Sequence, residues 1–203
     1  MNNKFTVIVD IDDTINNLLE VWVRWLNDMY GTNVNHEEIK EWDMRKTFVT
    51  LTKEQIYAPL HNILFWREVQ PKPGAVECLK DFMDKGMEVY LCTATHHATL
   101  DDKFTEFIHR CFPFIGWKHI IVAYDKSMIL GDVMIDDKVD NIINSLCMTN
   151  ILFSAPYNQD FDTEKNMIYR VDNWDDVAKI IYNAYDIYTH LREMYGWREK
   201  NED

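Results

Sequence analysis

An α/β fold, a parallel sheet with helices on both faces, is predicted by three features of the chain. From residue 71 onward, short apolar runs alternate with longer amphipathic segments, the pattern of parallel strands joined by helical crossovers. The first run, Val7-Ile8-Val9, is apolar at successive positions, as in a strand buried on both faces. Several runs then end in polar residues of complementary charge, at the sheet edge where open α/β folds bind ligands.

The elements follow in order. The strand that starts near Phe5 ends in Asp10, Asp12 and Asp13, three carboxylates within four residues. Crowded negative charges resist ionising unless a cation neutralises them, and Mg²⁺ prefers such oxygen ligands. An Asp-rich turn or helix cap would use the same letters, so this stretch alone leaves both readings open. After Thr14 the spacing is helical: Leu18, Leu19, Val21, Trp22, Trp25, Leu26 and Met29 recur every three or four residues until Gly31. Thr32 to Trp66 holds short helices with polar flanks. Asn35 suits a cap for one, and Thr52 with Gln55 forms a capping-box pattern for another. No strand-like run interrupts this part, which predicts a small helical cap at residues 17–70 inserted after the first strand. The core is then residues 1–16 and 71–203. Trp42, Phe48, Tyr57, Phe65 and Trp66 within the cap read first as core aromatics.

Pro71-Lys72-Pro73-Gly74 is a break. Beyond it the pattern predicts a helix from Ala75 to Met83 and a strand from Met87 to Cys92. A helix near Asp101 to Cys111 and strands at His119–Ala123, Asp132–Ile135 and Asn150–Phe153 come next. A long helix from Asn173 to Tyr195 ends the series. Its stripe of Ile180, Ile181, Ala184, Tyr185, Ile187, Tyr188, Leu191 and Met194 is wide for one packing face. It suits either a helix lying across its own sheet or a homodimer.

Composition narrows the function. The 203 residues, 47% hydrophobic and 13% aromatic, suffice for a large core. The net charge is −13 without a Lys/Arg run, which argues against a nucleic-acid polymer as partner. A small phosphate ester remains suitable where a metal and a lysine converge. Four scattered cysteines argue against a zinc site. Neither a secretory leader nor a membrane-length apolar stretch is seen, so the expectation is a cytoplasmic protein.

The strand ends form a set. They deliver Asp10, Asp12 and Asp13; Thr93, Ala94 and Thr95; Asp125 and Lys126; and Asp136 with Asp137. Such a set suits phosphoryl transfer. A carboxylate can attack phosphorus, and a second can protonate the leaving oxygen. A cation, a lysine and hydroxyl groups can neutralise the equatorial oxygens.

Asp10-Ile11-Asp12-Asp13-Thr14, Thr93, Lys126 and Asp136-Asp137 resemble, in order, the four motifs of the haloacid dehalogenase-like hydrolases. Gln70-Pro71-Lys72-Pro73-Gly74-Ala75, Leu91-Cys92-Thr93, Gly131 to Lys138 and Asp172-Asn173-Trp174 narrow the resemblance to the 5′(3′)-deoxyribonucleotidases. It spans about Phe5 to Val177. It implies a Rossmann-like core with a cap, Mg²⁺ as cofactor, and nucleoside monophosphates such as dUMP and dTMP as substrates. It also implies roles. Asp10 would be the nucleophile and a metal ligand, and Asp12 the acid/base with its backbone carbonyl on the metal. Thr93, Ala94 and Lys126 would hold the phosphoryl oxygens. Asp137 would be the direct metal ligand and Asp136 its support, with the reverse assignment left open. Leu18, Phe65 and Trp66 would line the substrate pocket. Leu18 stands where a phenylalanine is expected, Leu60 aligns with a base-contacting tryptophan of animal members, and Tyr124 stands in place of an arginine. These departures touch the substrate and leave the chemistry intact. The rivals are a phosphatase for a non-nucleotide phosphomonoester and a non-catalytic phosphate-binding module.

Overall fold

The computed structural model describes residues 4–195. Six parallel strands form a single sheet in the order β3-β2-β1-β4-β5-β6. These are β1 (Thr6–Asp10), β2 (Glu88–Thr93), β3 (Ile120–Val122), β4 (Val133–Asp136), β5 (Thr149–Phe153) and β6 (Tyr169–Val171). β1 lies at the centre, with Asp10 opposite Cys92 of β2 and Val9 opposite Ile135 of β4. From β1 the chain winds first one way and later the other, so a crevice opens beyond the carboxyl ends of β1 and β4.

The central strands are buried on both faces because both are covered. Val7, Val9, Val89, Leu91, Val133 and Ile135 pack with residues of α5 (Ala75–Asp84) and α9 (Trp174–Tyr195), among them Leu79, Phe82, Val177 and Ile181. Alternation sends Ile8, Cys92, Met134 and Leu152 to the other face, where Ile142 of α8 (Val139–Ile143) joins them. Gly131 makes the entry to β4 possible, since a Cβ there would lie 2.8 Å from Ile8 Cγ1 and 3.2 Å from Thr6 O.

Between β1 and α5 the chain is helical, as expected. α1 (Leu18–Tyr30) ends in Gly31, whose left-handed backbone (φ 66°) directs its N–H to Asn27 O. α2 (Met44–Thr47), α3 (Lys53–Tyr57) and α4 (Ile63–Glu68) follow. Thr52 and Gln55 form the capping box, and the Asn35 side chain accepts from Glu37 N. Leu19, Val23, Leu26, Ile39, Met44, Phe48 and Ile56 make a small core within this segment, while Leu18, Val21, Phe65 and Trp66 join the main one. The segment enters and leaves side by side. Asn16 bridges Pro71 in antiparallel fashion, Asn17 N donates to Gln70 O (3.1 Å), and Lys72 N donates to Ile15 O (2.8 Å).

Three elements differ from the sequence reading. The helix expected near Asp101 begins as α6 (His97–Lys103), because the His96 side chain accepts from Ala98 N and caps it early. It continues through a π turn at Phe104–Ile108 into α7 (His109–Cys111). His119 belongs to a 3₁₀ turn, which shortens β3. β6 was not anticipated, being three residues with Arg170 at its centre. Along α9, Ile181 is buried and Tyr185 and Tyr188 pack edge-on against Phe5, while Ile187, Leu191 and Met194 stay exposed.

Candidate active site

β1, β2 and β4 each bring their last residue to the crevice. Asp10 and Asp136 are therefore fixed by strand register, and Asp137 by the turn that follows. Carboxylate oxygens of Asp10, Asp136 and Asp137 lie within 4.8 Å of one another, and all three residues are buried. Burial raises the pKa of Asp10 well above the usual range, with Asp136, Asp137 and Asp12 adding to the rise and Lys126 opposing it. Burial, helped by Asp136 and Asp13, pushes Asp137 up to about 7.

Lys126 sits in a 3₁₀ turn that Asp125 caps by accepting from Ser127 N. Its buried Nζ donates to Asp10 and, at 2.7 Å, to Asp136 Oδ2. Burial alone would lower the pKa of this ammonium, but Asp10 and Asp136 overcome that and raise it. Asp136 also accepts from Lys138 N (2.8 Å) and from Asn141 Nδ2 (3.0 Å). Thr14 Oγ1 (3.2 Å) and the Tyr157 hydroxyl donate to Asp137. Asp13 takes the left-handed backbone at φ 57°, a region open to Asp through local hydrogen bonds. Its N–H donates to Asn16 Oδ1 (2.9 Å), and its carboxylate accepts from Leu19 N (2.8 Å), tying the loop after β1 to α1. Burial pushes Asp13 up to about 7.

A cavity of about 330 Å³ opens above these groups, within the range of small-ligand pockets. The carboxyl edge of the sheet supplies its floor with Asp10, Asp12, Lys126, Asp136 and Asp137. The helical segment supplies much of the wall through Leu18, Trp22, Trp42, Tyr57, Leu60 and Trp66. One end is charged and the other aromatic.

A family model, "5′ nucleotidase, deoxy (Pyrimidine), cytosolic type C protein", matches residues 3–187. The chain belongs to this family. A 5′(3′)-deoxyribonucleotidase of Clostridium acetobutylicum is 30% identical over 172 residues, covering 85% of this chain and 92% of the relative. One of Bacillus subtilis is 31% identical over 177 residues, covering 87% and 98%. Among solved structures, a haloacid dehalogenase-like hydrolase from Streptococcus pneumoniae superposes with a TM-score of 0.63. It covers 89% of this chain and 100% of that one at 13% identity, a likeness of fold. The protein is thus a phosphoric monoester hydrolase of the 5′-nucleotidase type on a haloacid dehalogenase-like fold.

For this nucleotidase-family enzyme, the structure bonds Lys126 to Asp10 and Asp136 and sets Asp137 beside them. Asp12 is differently placed. Its carboxylate pairs with Lys103 at 2.6 Å, outside the three-carboxylate group. Ala94 lines the cavity, whereas the Thr93 hydroxyl is buried and meets Lys103 and Thr95. Leu18 and Trp66 line the cavity, as does Leu60. Phe65 does not. It is 0% exposed and packs edge-on between Trp25 and Trp66, because its side of α4 faces the main core. Trp42, read as core, is 54% exposed and borders the cavity, with Lys138 Nζ 3.9 Å from its ring centre. Tyr57 likewise lines the cavity. Tyr157, which no sequence motif singles out, is a partner of Asp137. Lys103 was missed altogether, although Thr99, Lys103 and Phe107 stand at four-residue spacing and a lysine in such a stripe is a signal.

Proposed function

We propose that this enzyme is a Mg²⁺-dependent 5′(3′)-deoxyribonucleotidase acting on nucleoside monophosphates of the dUMP and dTMP kind through an aspartyl-phosphate on Asp10. The observation that carries this reading is the pairing of the Asp10–Asp136–Asp137 group with an aromatic-walled cavity of nucleotide size. The named activity of the bacterial relatives supports the same substrate class.

The residues fit a hard divalent cation. The donors are carboxylate oxygens, they are buried, and Lys126 is the ammonium bonded among them. Asp10 and Asp137, with Asp136 beside them and the backbone carbonyl of Asp12, would hold it. When bound, Mg²⁺ supplies positive charge to the phosphoryl oxygens. The chain's own groups do the rest. An Asp10 oxygen forms a bond to phosphorus as the ester P–O bond breaks, and the Asp12 carboxyl group gives its proton to the departing oxygen. Water then attacks the aspartyl-phosphate, with Asp12 taking the water's proton and Asp10 leaving as carboxylate. Lys126 and the backbone about Thr93 and Ala94 receive the phosphoryl oxygens. The wall formed by Leu18, Leu60 and Trp66 faces the nucleoside and excludes water.

A screen of purified enzyme against deoxyribonucleotides, ribonucleotides and sugar phosphates, with and without Mg²⁺, tests the proposal. The highest kcat/KM is expected for a pyrimidine deoxyribonucleotide in Mg²⁺. A preference for a non-nucleotide phosphomonoester overturns the substrate assignment, and absence of turnover on every substrate overturns the enzyme.

Residues 17–70 act in this reading as the cap over a core of 1–16 and 71–203. No helix among the described residues is long and apolar enough to cross a membrane, and the free buried thiols Cys92 and Cys147 support a reducing cytoplasmic setting. A homodimer through Ile187, Leu191 and Met194 is the accompanying proposal. Sedimentation at micromolar protein tests it, and monomer alone overturns it.

A further inference from the structure

Lys103 occupies a core-facing position of α6. Thr99, Lys103 and Phe107 share one helical face and all are buried. An ammonium there loses its hydration, a cost that pairing must offset. At 1% residue exposure, its Nζ donates to Asp12 Oδ2 (2.6 Å), to Thr93 Oγ1 (3.1 Å) and to the Thr95 hydroxyl. The Trp66 ring centre lies 5.2 Å away. The other Asp12 oxygen accepts from Asn16 Nδ2 at 3.4 Å. Asn16 is itself fully buried, and its Oδ1 accepts from Asp13 N and Leu18 N. Directly after Lys103 the helix widens into the π turn at Phe104–Ile108, an irregularity that recurs at functional sites.

We infer that Lys103 is a positioning residue: it holds the Asp12 carboxyl group at the cavity side, apart from the Asp10–Asp136–Asp137 group. Two aspartates two positions apart are thereby given to two different buried lysines. Lys126 bonds Asp10 and Asp136, and Lys103 bonds Asp12. Without Lys103 the Asp12 side chain keeps only the long contact to Asn16 and can swing toward solvent. Trp66 closes the side of Lys103 that faces the helical segment, so the wall of the substrate cavity is also part of the seat of the acid/base.

The inference rests on the reading of Asp12 as acid/base, and the experiment separates the two. Lys103→Met, Lys103→Arg, Asp12→Asn and the Asp12→Asn/Lys103→Met double variant are compared on a nucleoside monophosphate, whose leaving group is an alkoxide, and on an aryl phosphate. Single-turnover rates and KM are read for each. Misplacing an acid/base forfeits part of its roughly 10²–10⁴-fold contribution, so Lys103→Met should slow the nucleotide about 10–10²-fold at a KM within about twofold. The aryl phosphate should slow by less than about threefold on the same grounds. Lys103→Arg should recover part of the loss, and the double variant should be no slower than Asp12→Asn. Equal loss on both substrates, no recovery by arginine, or multiplied losses in the double variant overturn the inference. If Asp12→Asn alone shows no dependence on leaving group, the acid/base reading is what fails. Should Lys103→Met not fold by circular dichroism, Thr95→Val removes one anchor of the ammonium and keeps the ion pair. A smaller loss confined to the nucleotide is then expected, and a loss without that selectivity overturns the inference.

Discussion

Lys126 Nζ and Asp136 Oδ2 stand 2.7 Å apart with both side chains buried, and the same ammonium bonds Asp10. A buried pair broken on one side leaves the other charge uncompensated, at a cost of about 3–5 kcal/mol. Lys126→Met should therefore lower the melting temperature in chelator. Adding Mg²⁺ should restore much of the stability while turnover stays lost. Calorimetry with and without Mg²⁺, beside a turnover assay, checks both halves, and an unchanged melting temperature in EDTA contradicts the first.

Metal removal gives a second expectation. EDTA should abolish activity, and Mg²⁺ should bring it back and raise the melting temperature, by about 2.7 kcal/mol of stability at a hundredfold excess over Kd. Asp137→Asn, which keeps a side chain able to meet Thr14 and Tyr157, should lose most of that thermal shift. Full turnover in chelator would end the case for a metal.

Asp10 and Asp12 should fail in different ways. On the proposed mechanism Asp10→Asn lacks the attacking carboxylate, so rapid quench of an aryl phosphate reaction should show no burst of aryl alcohol. Asp12→Asn should give a burst near one equivalent and then a slow steady state, because the intermediate forms but water is poorly activated. General acid–base help worth roughly 10²–10⁴-fold should be missing on alkyl esters. Matching traces from the two variants would contradict the assignment.

Trp42 offers a test of the cavity wall at little risk to the fold, since it is half exposed and its ring neighbour is Lys138. Trp42→Ala should leave the melting temperature nearly unchanged and raise KM for nucleoside monophosphates by about tenfold, the loss of about 1.4 kcal/mol of contact. A small phosphate ester that does not reach the wall should keep its KM.

His119 predicts a pH effect far from the chemistry. It is buried, its Nδ1 has no hydrogen-bond partner, and it stacks at an angle on Tyr90. Burial, with Lys118 alongside, holds its pKa below the usual value, against the pull of Glu88. The unfolded histidine then binds a proton at a pH where the folded one does not, so stability falls as pH drops below about 6.5 toward the folded value. His119→Phe should remove this slope from melting temperatures measured between pH 7.5 and 5.5.

Much of the site was legible because strand register does the positioning. An apolar run that stops at Asp10, and another that stops at Asp136, must place both carboxylates at one sheet edge once the strands are parallel neighbours. The sequence is weakest where position depends on packing between distant segments. Phe65 leaves the cavity wall because it packs edge-on against Trp25 of α1 and against Trp66, inside the main core, while Leu60 lines the cavity as expected. Lys103 looks like a solvated helix lysine until Asp12, Thr93 and Thr95 are seen to accept hydrogen bonds from its ammonium. β6 escapes notice because an edge strand of three residues, Arg170 among them, has too few apolar positions to show a period.

The paired neck at Asn16 and Pro71 has a consequence for how selectivity and chemistry are inherited. The sheet meets the intervening chain as two adjacent ends already hydrogen-bonded to each other. The length of what lies beyond is almost invisible to it, since doubling a loop adds only about 0.6 kcal/mol of closure cost. α1 and α4 are committed, because Leu18, Val21, Phe65 and Trp66 belong to the main core. The outer helices around Ile39, Met44, Phe48 and Ile56 close a second, smaller core against Leu19, Val23 and Leu26 on the far side of α1. That outer part is a replaceable module. A chimera that exchanges it for another helical insert should keep the sheet and Asp10, Asp12, Asp136 and Asp137 in register while presenting a new wall to the cavity.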